Sequence, residues 1–200
     1  MEKTTKSWKD INLTKFIQLN LTNELEDEID RVFQRIGIIY DLSQDEVANI
    51  SIADYQSMKI EMEFMDSQPS QTDFKETVEY QGVKYHFNKN LNTLCLGEFV
   101  DLESYSKDTI NNLPSIMGIL YRPEGITSYN TDTANQSSIV FEEHMDVETA
   151  LAGLLFFYLF ANDYLMSDIP NSSMLTRQIQ GMEILKTEML KAMDEKHLLN

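Results

Sequence analysis

A mainly α-helical fold with one small β-hairpin, built on a helical, bundle-like core, is what three features of the 200-residue sequence predict. Apolar residues recur at spacings of three and four along most of the chain, the period of one face of a helix. Strict apolar–polar alternation occurs around Gln81-Gly82, where Val78 and Tyr80 precede the pair and Val83, Tyr85 and Phe87 follow it, the pattern of a hairpin with a two-residue turn. The run Ala150 to Ala161, ALAGLLFFYLFA, holds no charge or amide and must be covered all round.

A chain of this length can bury a sizeable core without disulfides or metals. The single cysteine, Cys95, has no partner within the chain and lies between Leu94 and Leu96, the context of a small buried thiol in a reducing compartment. The opening MEKTTKSWKD has lysines but no apolar run behind them, unlike a secretory signal. A formal charge of −17, from 33 acidic and 16 basic side chains, has the wrong sign for nucleic acid or an anionic membrane. It suits a basic or neutral protein partner.

Taken in order, Ser7 to Leu21 reads as a first helical segment with Leu13, Phe16, Ile17 and Leu21 on one stripe and Trp8 packed on it as a core anchor. A second helix, with Asn23 as cap and Glu26 three residues on, carries Leu25, Ile29, Val32, Phe33, Ile36 and Tyr40 on its apolar face. The carboxylates at its start form a solvated cap. Ser43 with Glu46, and Ser51 with Asp54, start two shorter helices. The second of these runs to about Met65, with Ile52, Tyr55, Met58, Met62 and Met65 on a face assigned to the core. The polar SQPSQTD, Ser67 to Asp73, is a linker or long loop. After the hairpin come a helix with Leu96, Phe99, Val100 and Tyr105 inward, where Gly97 allows a close approach, and an apolar helix from Pro114 to Tyr121. Arg122 to Gly125 is a turn. Ile126 to Ser138 reads as a long polar loop, the first place to look for an unassigned contact. Asp146 caps the helix Val147 to Leu165, and an amphipathic helix ends the chain. Three regions follow, 1–66 helical, 67–90 linker and hairpin, and 91–200 helical, which can also form one domain.

Phosphate-binding glycine loops, nucleophile elbows, paired cysteines and HExxH are missing from the sequence, so no catalytic, cofactor-binding or metal residue is assigned. The run Glu142, Glu143, His144 and Asp146 offers a single imidazole beside a helix start, where acids cap. The apolar run Ala150 to Ala161 is shorter than the about 20 residues that span a membrane.

Six stretches, SWKDINLTKFIQL, IGIIYDLSQDEV, IADYQSMKIEMEFM, YQGVKYHFN, GEFVDLESYSKD and NLPSIMGILYRPEG, together resemble a group of tailed-bacteriophage proteins. They look like proteins of phages that infect Bacteroidetes, crAss-like phages among them, similar in plan to tail-assembly chaperones. The resemblance covers roughly Lys6 to Leu165. It implies virion morphogenesis without catalysis in the host cytoplasm, with a tail-tube, tape-measure or portal protein as partner. The alternative it leaves is a permanent subunit of a tail, neck or connector ring, and homo-oligomerisation stays open. Partner contacts are expected at the hairpin edge, Tyr80, Val83 and Tyr85, and on the C-terminal stripe, Leu175, Ile179, Met182, Leu185, Met189 and Met193.

Overall fold

The structure, a computed structural model, describes residues 6–89 and 94–168, with side chains as far as Leu159. Among them are eight α-helices and one three-stranded antiparallel sheet. The first described element is a single helical turn, Trp8–Asp10, whose indole is buried edge-on against Phe16 and Phe64 and donates to the Ser67 carbonyl at 2.8 Å. Helix α1 (Leu13–Leu21), capped by Asn12, buries Leu13, Phe16 and Leu19, while Leu21 lies exposed at its end. Helix α2 (Glu28–Tyr40) begins later than its stripe implies. Thr22–Glu24 forms a turn of its own, held by Arg35 on the Thr22 and Asn23 side chains, so Asp27 and not Asn23 caps the helix. Helices α3 (Gln44–Ala48) and α4 (Ile52–Glu61) start at Ser43 and Ser51 as their capping residues dictate.

Ser67 to Asp73 is a strap rather than a free linker. Besides the indole bond at Ser67, the Ser70 N–H donates to Glu148, and just beyond the strap Phe74 stacks flat on Phe156 at 3.9 Å. Strands β1 (Thr77–Tyr80) and β2 (Val83–Phe87) pair with Tyr80 opposite Val83, and Gln81 and Gly82 both take positive φ, as a two-residue hairpin turn requires. The hairpin does not stand alone. After α5 (Leu96–Tyr105) and α6 (Leu113–Leu120), Tyr121 leaves the helix and starts β3 (Tyr121–Pro123), which pairs with β2 and makes it the central strand.

Further expectations are corrected. The polar stretch Ile126 to Ser138 is a loop only to Asn130, whose side chain caps α7 (Thr131–His144). The buried face of α7, Ala134, Ser137 and Phe141, is mostly small, so α6 and α7 pack closely: a Cβ on Gly118 would stand 2.4 Å from the Ala134 carbonyl oxygen. At Gly97 the space is ordinary. Helix α5 turns Leu96 and Val100 to solvent and leaves Cys95 exposed, and the residue it buries is Glu98, whose carboxylate is met by Arg122 and by the Cys95 N–H.

One continuous core takes in Trp8, α1, the inner face of the sheet, α6, Phe141 of α7 and the start of α8 (Val147–Asp168). Within the apolar run of α8, Ala150, Leu151, Ala152, Leu154, Phe157 and Tyr158 are buried. No described helix is long and apolar enough to cross a membrane. Asp146 caps α8 through the Thr149 N–H and hydroxyl. Beside it the start of α1 meets the start of α8: the Leu13 N–H donates to the Met145 carbonyl and the Val147 N–H to the Ile11 carbonyl.

Candidate partner-binding site

Several of the described side chains that could carry chemistry are tied to structure. Glu142, Glu143 and His144 form the last turn of α7, the His144 ring meets Gln81 at 2.7 Å, and Asp146 is committed to its cap. Among the described residues no group of three or more His, Cys, Asp or Glu side chains could hold a metal ion. The buried Glu98–Arg122 pair is a brace: Arg122 also donates to the Thr127 carbonyl, fixing the start of β3 and the loop after it onto α5. Tyr129 extends that brace by a bond to Asp101. His86 lies on the outer face of the sheet, 3.0 Å from the Thr77 hydroxyl and 3.8 Å from Glu124.

The expected hairpin contacts divide. Tyr85 is 4% exposed and packs on Phe141, because β3 occupies the outer side of β2 and the pleat turns the ring inward, so it cannot meet a partner. Tyr80 is half-buried against the same ring, while Val83, beside the turn, is 41% exposed. Among the described residues no strand pairs with the outer side of β1, Thr77–Tyr80. Leu175, Ile179, Met182, Leu185, Met189 and Met193 lie outside the described residues.

A different apolar surface lies open at the other end of the chain. Ile29, Val32, Phe33 and Ile36 are spaced along one face of α2, the apolar face that the sequence predicts for it. Only Ile36 is buried. The stripe instead forms one wall of a groove of about 300 Å³ whose other wall is Val47 and Ile50, from α3 and the turn after it, with Ile52 and Tyr55 of α4. Ile29 and Ile52, at the lips, are 77% and 74% exposed. The capping box of Ser43 with Glu46 fixes the start of α3, Ser51 caps the start of α4, and Asp41, in the left-handed conformation, ends α2 and is paired by Lys15 at 2.6 Å. Helix α4 buries no residue fully, so the methionine face assigned to the core packs only in part, through Met62 and Met65.

The charge around the groove is one-sided. Between Thr22 and Ser57 the chain carries nine carboxylates and two guanidiniums, without a lysine or histidine. Both arginines are turned to the chain, Arg31 donating to the Leu25 carbonyl and Arg35 to Thr22 and Asn23. Glu28 lines the groove itself. Hydrogen bonds from the Ser43 hydroxyl and N–H hold the Glu46 carboxyl below the usual carboxylate range, keeping it charged at neutral pH. Sequence reasoning passed over this site because an apolar stripe has the same spacing whether or not something covers it. The signal within reach was the crowding of acids on either side of that stripe.

Compared with known proteins, the chain matches no family model, no curated protein and no solved structure.

Proposed function

We propose that this protein is a non-catalytic, protein-binding factor in bacteriophage virion morphogenesis, of the tail-assembly chaperone type, that holds a tail-tube or tape-measure protein during assembly in the host cytoplasm. The observation that carries the binding part of this reading is the open apolar groove of α2, α3 and α4, with Ile29 and Ile52 exposed at its lips. Isolated exposed apolar side chains are ordinary, whereas a concave set from three helices is the form of a surface that takes a partner. The phage part rests on the resemblance of the six sequence stretches. Co-expressed with the tail-tube and tape-measure proteins of its own phage, the protein is expected to co-purify with one of them. Failure to retain either would overturn the reading.

A second reading, a permanent subunit of a tail, neck or connector ring, is favoured by the edge of β1, unpaired among the described residues, which offers backbone groups for strand addition between subunits. Mass spectrometry of purified particles separates the two. A chaperone is expected to be absent from the virion and a ring subunit to be present in stoichiometric amount.

A further inference from the structure

We propose that the groove of α2, α3 and α4 receives an amphipathic helix of a partner protein whose flanks are rich in Lys and Arg. This rests on the reading of the chain as a protein-binding factor and goes beyond it by naming the site and the chemistry of the occupant. Shape gives the first half of the argument. A groove walled by one apolar helix stripe and by two short helices, with apolar lips at Ile29 and Ile52, matches the way a helix lays anchors at spacings of three and four into a hydrophobic trough.

Charge gives the second half and decides among occupants. With nine carboxylates along the groove segment, of which Asp41 is paired by Lys15, against two inward-turned guanidiniums, an approaching cation is steered in and an approaching anion repelled. A second copy of this chain is a poor occupant, since a two-fold contact through this face would set the same carboxylates against one another. The chain's own C-terminal stretch from Asn171 to Asn200 has four acidic and four basic residues and offers no cationic excess. A helix with a basic polar face meets both the apolar floor and the acidic surround.

The test uses the full-length protein and three synthetic peptides of about 18 residues, long enough for five turns: an amphipathic Leu/Lys helix, the same helix with Glu for Lys, and a scrambled Leu/Lys sequence without an apolar face. By fluorescence anisotropy the Leu/Lys helix is expected to bind at least about tenfold more tightly than either control, and to weaken as salt approaches 1 M, where the screening length is about 3 Å. The double variant Ile29→Ser, Ile52→Ser changes two exposed side chains that the fold does not bury, and is expected to lose about tenfold in affinity with an unchanged circular dichroism spectrum. Equal binding of the scrambled or the Glu peptide, or full affinity in the double variant, would overturn the proposal. It would also be overturned if the groove's amide NMR signals shifted when residues 169–200 are removed, since the occupant would then be the chain's own tail. A self-association abolished by the double variant would overturn it too, since the occupant would be a second copy. Loss of the groove in these tests with tail proteins still retained would leave the assembly reading standing on another surface. Binding of the Leu/Lys helix without retention of any tail protein would do the reverse.

Discussion

Tyr121 stands where the sheet, α7 and α8 meet, its ring edge-on to Phe87 and Phe141 and its hydroxyl donating to the Lys75 carbonyl at 2.6 Å. Burial pushes its phenol well above the ordinary value of 10.0, helped by Tyr80 and Asp146 nearby. The same cause raises Tyr80, Tyr85, Tyr40, where Glu61 adds a hydrogen bond, and Tyr129 and Tyr158, both pushed up to about 12. For each, the fold favours the neutral form. Below pH 10 both the folded and unfolded chains keep these protons and their contribution is complete. Above it the unfolded chain ionises first, so stability falls as pH rises from 10 through about 12. An alkaline titration of the nine tyrosines is therefore expected to show a major part of the tyrosinate absorbance appearing together with loss of helical circular dichroism in that range. Tyrosinate absorbance complete near pH 10 with the helical signal intact would contradict the assignment.

Between elements, α6 and α7 approach closely at Gly118. Gly118→Ala puts a methyl group against backbone, which cannot rotate away, so the helices must separate and a loss of about 1–3 kcal/mol is expected in urea unfolding. An unchanged midpoint would show that the helices slide apart freely. This packing also explains what the sequence concealed. Helix α7 fills its buried face with Ala134 and Ser137 because Gly118 lies opposite, and small residues leave no hydrophobic period to read in ITSYNTDTANQSS. Strand β3 was hidden for another reason: three residues ending in Pro123 carry too short a pattern to distinguish from the end of a helix and a turn. Where large side chains do the packing, as with Trp8 on Phe16 or the run of α8, local pattern and tertiary structure agree. The hairpin turn was legible too, since positive φ at Gln81 and Gly82 is set by local backbone geometry.

At the scale of the molecule, what the sequence could not supply is which apolar stripe is covered by which. The face of α2 and the core face of α1 look alike as patterns. Helix α1 is sealed because α7 lies across it, whereas Ile29, Val32 and Phe33 face the groove. The seal over α1 depends on a distant part of the chain. Asn12 and Thr14 donate to the carbonyls of Glu143 and Glu142, and the backbone bonds at Ile11 and Leu13 go to Val147 and Met145. A fragment ending at Asn130 keeps α1 through α6 in sequence but lacks every one of these acceptors and donors. It is expected to show much weaker helical circular dichroism per residue than the whole chain, and native-like helicity in the fragment would count against this dependence.

The join between Ile11–Thr14 and Glu142–Val147 also has a meaning in time. Synthesis proceeds at roughly 5–20 residues per second, so α1 waits several seconds or more on the ribosome before the segment that closes over it is made. During that interval Leu13, Phe16 and Leu19 are without their final cover, and the half-made chain is at its most prone to stick to neighbours. The surplus of negative charge carried by the early helices, from Glu24 to Asp54, opposes such contacts between nascent copies that come within a screening length, about 8 Å at physiological salt.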